Sequence, residues 1–181
     1  MRSLIVAIML TVWAAPLRAQ EGPEVFFQPA ITTQSFTGEV GRYASASIGV
    51  SATQGVQFDL VGAFLTLATN YHLTNQPPPP YTRGLQTFGI SAGLRLRIPI
   101  EPVEPHIGIE YTNLGVVSNT LNRFTGSRLN FNALGLIAAA KWRIAPPIYV
   151  EVSGHGRYFI DMLNPTLSFG VSIALGLGGR L

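Results

Sequence analysis

The feature that most constrains this chain is a period-two alternation of apolar with small or polar residues, sustained through most of its length. Successive side chains of a strand point to opposite faces, so such a run reads as a strand with two unlike surfaces. In segment 166–178, Leu167, Phe169, Val171, Ile173, Leu175 and Leu177 oppose Ser168, Gly170, Ser172, Ala174, Gly176 and Gly178. In 85–98, Phe88, Ile90, Leu94 and Leu96 oppose Gly89, Ser91, Arg95 and Arg97. Segments 103–117, 128–144 and 148–160 behave alike, and 24–36, 42–52 and 56–66 do so more weakly. Pro29 inside the first suits an edge or bulge. The second half of 56–66 is apolar on both faces. Eight strands are therefore predicted, each long enough for a tilted crossing of a bilayer, which takes about 9–11 residues.

The connections support the same plan. Thr53-Gln54-Gly55, Pro99-Ile100-Glu101-Pro102 and Ala145-Pro146-Pro147 are tight turns, whereas 68–84 and 118–127 are long. Short turns on one rim and longer loops on the other belong to an eight-stranded antiparallel up-and-down barrel in a membrane. In a hairpin, opposed residues share a face. The turn near 100 is predicted to oppose Arg97 with Glu104 and Arg95 with His106. The turn near 146 is predicted to oppose Lys141 with Glu151, and the turn at 54 to oppose Ser51 with Gln57.

Composition decides which face looks inward. Only 12% of residues are charged, about half the usual share. The polar faces are mostly Ser, Gly and Ala, a poor solvated exterior but a suitable narrow lumen. The apolar faces would then meet lipid, with Phe58, Phe64, Phe88, Tyr111, Trp142, Tyr158 and Phe169 expected as interfacial aromatic girdles. Past the N-terminus the longest unbroken apolar or Gly run is 133–140, too short for a spanning helix. Residues 1–19 have the order of a cleaved secretory signal peptide: Arg2, an apolar stretch, then Pro16-Leu17-Arg18-Ala19. Residues 20–181 form the single predicted barrel domain. Without Arg2 and Arg18, ten Lys and Arg face nine acids, so no basic patch points to nucleic acid. The chain has no cysteine, which excludes a disulfide framework.

On strand pattern, loop asymmetry and leader, the chain resembles the small eight-stranded outer-membrane barrels, the OmpA/OmpX-like group. The resemblance covers 24–181 and rests on architecture, not on a motif. It implies a bacterial outer-membrane, Gram-negative location. Its implied partners are outer-membrane lipid and lipopolysaccharide, periplasmic chaperones and the barrel-assembly machinery, and its implied state is a monomer. Its implied role is structural, adhesive or narrowly porin-like. The chain departs from the group at its end, Gly178-Gly179-Arg180-Leu181, where an aromatic residue is usual.

A narrow barrel is filled by side chains. Arg95, Arg97, Glu104, His106, Lys141, Arg143 and Glu151 fall in the short-turn half of the polar faces, with Glu110, His155 and Arg157 higher. The expectation is a charged plug held by Arg97–Glu104 and Lys141–Glu151 pairs, because buried charges need partners. A watery vestibule lined by Ser and Gly is expected above it.

Enzymatic readings are weaker. Barrel lipid deacylases carry a His with a Ser two residues later and a distant Glu. Here His155 is followed by Gly156 and Arg157. Lipid-palmitoylating barrels use an Asp-Ser pair, absent from the chain. The three His do not fall at metal-ligand spacing, and no cofactor, metal or catalytic residue is expected. The expectation is a non-enzymatic barrel. The alternatives are a soluble lipocalin-like barrel holding an apolar ligand and a lipid-A-modifying enzyme. Pro77, Pro78, Pro79, Pro80 and Tyr81 form a stiff polyproline segment in an expected outer loop.

Overall fold

The computed structural model describes residues 22–38, 46–72, 85–117, 129–161 and 166–180. The leader and the segment Pro77–Tyr81 lie outside them. The eight strands are β1 (Glu24–Phe36), β2 (Ser47–Phe58), β3 (Val61–His72), β4 (Leu85–Arg97), β5 (Val103–Val117), β6 (Leu129–Ala145), β7 (Ile148–Phe159) and β8 (Thr166–Arg180). Each pairs antiparallel with the next, and β1 closes on β8 to complete a barrel. The connections at residues 59–60, 98–102 and 146–147 lie at the end where β1 begins and β8 stops. The strand ends that flank the longer connections lie at the other end.

The alternation runs apolar outward. Phe88, Leu94, Leu136 and Ile173 are 45%, 53%, 67% and 60% exposed. Their strand neighbours Thr87, Arg95 and Ala174 are buried. A soluble lipocalin-like barrel would pack the first set inside and leave the second in water, so the outward apolar belt opposes that alternative.

The second hairpin departs from expectation. Its turn is Asp59-Leu60, not Thr53-Gln54-Gly55, and Phe58 pairs with Val61. Ser51 therefore lies beside Ala68 instead of Gln57. Asp59 adopts positive φ (41°), as the first central residue of a tight primed turn requires. The run 56–66 is thus two strand arms joined by a two-residue turn, and the alternation changes phase there. That phase change is what made its second half read as apolar on both faces. A one-residue slip exchanges faces, so Phe64 is buried in the lumen instead of sitting in an outer girdle. The β4–β5 register differs by two: Arg97 pairs with His106, and Arg95 with Gly108. An even slip keeps the faces, so no side chain changes side.

Pro29 leaves a mark as well. The β1–β8 ladder is continuous except at Gln28 and Pro29, where proline has no N–H to contribute.

Candidate functional site

Among the described residues the lumen is the interior of the barrel, and its contents are layered. At the short-turn mouth, β1 begins with Glu24, whose carboxylate receives Lys141 Nζ at 2.8 Å and Arg143 Nη2 at 2.8 Å. Arg143 Nε reaches Glu104 at 2.9 Å, and Arg97 reaches the same carboxylate at 2.9 Å. Two carboxylates and three cations thus form one chain of ion pairs across β1, β4, β5 and β6. Arg97–Glu104 is the expected pair. Lys141 and Glu151 are register partners, but Lys141 turns to Glu24, and Glu151 receives Arg95 at 3.2 Å. The Lys141–Glu151 ion pair is therefore corrected. Glu24, on the weakest predicted strand, supplies the acid that Lys141 needs.

Above the mouth, aromatic rings carry the cations. The Arg95 guanidinium lies 4.2 Å from the Phe26 ring centroid, and Lys141 Nζ 4.0 Å from that of Tyr149. Ring faces attract cations most strongly where water is scarce. Phe26, Phe64 and Tyr149 pack together with Ile137. Two glycines make room for them. A Cβ at Gly93 would meet the Phe64 ring, and one at Gly176 would fall on the ring of Tyr149. The bulk that Gly176 admits is Tyr149, and beside Gly178 stand Glu24 and Tyr149. His106 is buried at this depth.

Higher on β7 comes a second polar group. Glu110 Oε1 accepts from Arg157 Nε at 2.7 Å and lies 3.1 Å from His155 Nδ1. His155 Nε2 is 3.1 Å from Ser153 Oγ. A partly open space of about 50 Å³ adjoins this group, lined by Gln28, Thr66, Asn70, Arg95, Ser153 and His155 among others.

The expected vestibule is not watery at the described loop-side level. Phe36, Leu114, Ala133 and Phe159 are buried together there, with Phe131 against them. Phe36 stacks at 5.2 Å on His72 and at 5.8 Å on Phe159. Of the small lining residues, Gly89 lies against Leu114, and Gly135 against Glu110 and Arg157.

The exterior carries the remaining predicted residues. Phe58, Phe88, Tyr111, Trp142, Tyr158 and Phe169 are all exposed; Phe64 is the exception described above. On the loop side, Tyr111 Oη donates to Asn132 Oδ1 at 2.6 Å and Asn113 Nδ2 donates to it at 2.8 Å. The Asn132 backbone N–H and Nδ2 donate to the Asp161 carboxylate, both at 2.8 Å. This polar band on the outer surface marks where the apolar belt ends. Among the described residues no group of His, Cys, Asp and Glu is placed to hold a metal.

A closed barrel with an apolar exterior, aromatic borders and a charged, filled lumen defines a small transmembrane β-barrel of the outer-membrane kind. No protein-family model matches the chain, and no curated protein matches it by sequence. Solved structures do. The chain is similar to Neisserial surface protein A (12% identity, TM-score 0.62, covering 84% of this chain and 96% of that one). It is also similar to Ail, the attachment invasion locus protein of Yersinia pestis (13% identity, TM-score 0.50, 88% and 100% covered). The structure of Ail with the heparin analogue sucrose octasulfate matches over the same shares, at 13% identity and TM-score 0.53. At these identities the likeness is one of fold.

Proposed function

We propose that this chain is a bacterial outer-membrane barrel that serves as a structural or adhesive surface scaffold, exported by a cleaved leader and closed to solute flow. The observation that carries this reading is the pairing of an outward apolar belt with a lumen filled at two levels. Ion pairs and aromatics occupy the mouth, and a second apolar cluster occupies the loop side. The lumen space beside Ser153 and His155, between these two levels, is about 50 Å³, room for about four waters. The charged plug ties β1, β4, β5, β6 and β7 across the barrel and stiffens it. Lipid and lipopolysaccharide contact the belt, and the rim formed by the ends of β1, β3, β5 and β7 faces outward from the cell. The adhesive part of the reading draws on the named role of Ail, a barrel of the same fold.

The test is fractionation followed by electrophysiology. Native protein should sediment with outer membranes, require detergent for release and show heat-modifiable mobility. In planar bilayers it should give no large, steady conductance. Extraction by buffer alone, or a steady open channel, overturns the reading.

A further inference from the structure

The lumen also holds a constellation that strand geometry assembles and sequence order conceals. Residues i and i+2 of a strand share a face, so a serine two places before a histidine serves as well as one two places after. Ser153 and His155 stand in that relation on β7. Ser153 Oγ lies 3.1 Å from His155 Nε2, and His155 Nδ1 lies 3.1 Å from Glu110 Oε1 on β5. Arg157 Nε donates to the same Glu110 oxygen at 2.7 Å, and its Nη2 makes a longer 3.4 Å approach to His155 Nδ1. A carboxylate only accepts, so Nδ1 carries its proton toward Glu110 and Nε2 presents a lone pair to the Ser153 hydroxyl. The second contact of Ser153, 2.5 Å to Ser172 Oγ, is then a bond that Ser172 donates. Nucleophile, base and orienting carboxylate stand in the order that activates a serine.

The surroundings match the chemistry. Ser153 and His155 line the space of about 50 Å³, as do Gln28 and Arg95. Gln28 Nε2 and Arg95 Nε and Nη2 are buried without a hydrogen-bond partner. Buried unpaired donors beside a nucleophile are the groups an oxyanion needs.

We propose that Ser153 is a lumenal nucleophile toward esters of the smallest acyl groups. Ser153 Oγ attacks the ester carbonyl while His155 Nε2 takes its proton. The oxyanion collapses, the bond to the alcohol oxygen breaks, and His155 returns the proton to the departing alcohol. Water then attacks acyl-Ser153 by the same route and releases the carboxylic acid. Ester and water become alcohol and acid, with no other reactant. Glu110 acts through His155 as a positioning residue. This chemistry is additional to the scaffold role and independent of it.

The experiment uses the folded barrel in detergent, methyl acetate as a probe small enough for the space beside Ser153, titration of the acid released, and acid quench with peptide mapping. Heat-modifiable mobility establishes folding of every sample. Expected are turnover at least tenfold above a detergent blank, an acetyl group on Ser153, and loss of both in Ser153→Ala and His155→Gln. Glu110→Gln should lower kcat with KM unchanged. Folded wild-type protein that turns over no faster than the blank overturns the proposal without recourse to any variant. Turnover retained by folded Ser153→Ala overturns it too.

Discussion

Lys141 lies directly across the ladder from Glu151, yet it gives its ammonium to Glu24, 117 residues away in sequence, at 2.8 Å. The register fixes which backbones meet, but the length of a lysine lets it choose among carboxylates within reach. Here the choice bridges the lumen, because Glu24 opens the first strand and Lys141 sits on the sixth.

The first prediction concerns this pair. Glu24→Ala leaves Lys141 buried without its carboxylate and strips Arg143 of one of two. Removing one member of a buried pair costs about 3–5 kcal/mol. Equilibrium urea unfolding in detergent or lipid should show a loss of that size. The double variant Glu24→Ala, Lys141→Met should recover most of it, since it leaves no orphaned ammonium.

A second prediction concerns Gly176. Its missing side chain is the space the Tyr149 ring occupies. Gly176→Val should destabilise the barrel by about 1–3 kcal/mol, as overpacking does. Adding Tyr149→Ala should relieve most of the penalty. Equal effects of the valine with and without the ring would contradict the packing described.

How much of this was legible in the sequence depends on the physical range of each determinant. Period-two alternation is local and strong, so Leu94 and Ile173 read as outward and Arg95 and Ser172 as inward without any structure. The β2–β3 turn was not legible, because Asp59-Leu60 carries no glycine, whereas Thr53-Gln54-Gly55 does and resembles a turn. One phase error there moved Phe64 to the wrong face. Ion-pair partners were legible only where they were sequence neighbours, as with Arg97 and Glu104. Glu24–Lys141 and Arg95–Glu151 depend on closure and on side-chain reach, which a strand pattern does not encode. Ser153 reads as inward from the alternation, but it precedes His155, whereas the deacylase pattern places the serine after its histidine. The loop-side cluster of Phe36, Leu114 and Phe159 sits at strand ends, where alternation is shortest and a polar face is easily assumed.

Phe64 and Phe58 give a third prediction. Both are phenylalanines of one hairpin, but Phe64 is 7% exposed and Phe58 is 59% exposed. Phe64→Ala should cost about 3–5 kcal/mol, the usual loss for a packed phenylalanine. Phe58→Ala should cost clearly less in detergent unfolding, since a surfactant tail replaces much of what the ring touches. The reverse order would restore the turn at 53–55.

A fourth prediction concerns the belt. Leu136→Arg places a cation on the outward face, which costs about 2–4 kcal/mol at mid-membrane depth. Folding yield into vesicles should fall accordingly.

The central claim is the direction of the two faces, and the absence of cysteine from the chain makes it directly measurable. Single cysteines at Leu136, Ile173 and Ser172 are labelled with a nitroxide in bilayer-embedded protein, and collisions with oxygen and with a water-soluble nickel chelate are compared. Labels at Leu136 and Ile173 should meet oxygen freely and the chelate hardly at all, while the label at Ser172 should meet little of either. Frequent chelate collisions at Leu136 and Ile173 would mean that this surface faces water, and the transmembrane barrel described above would be wrong.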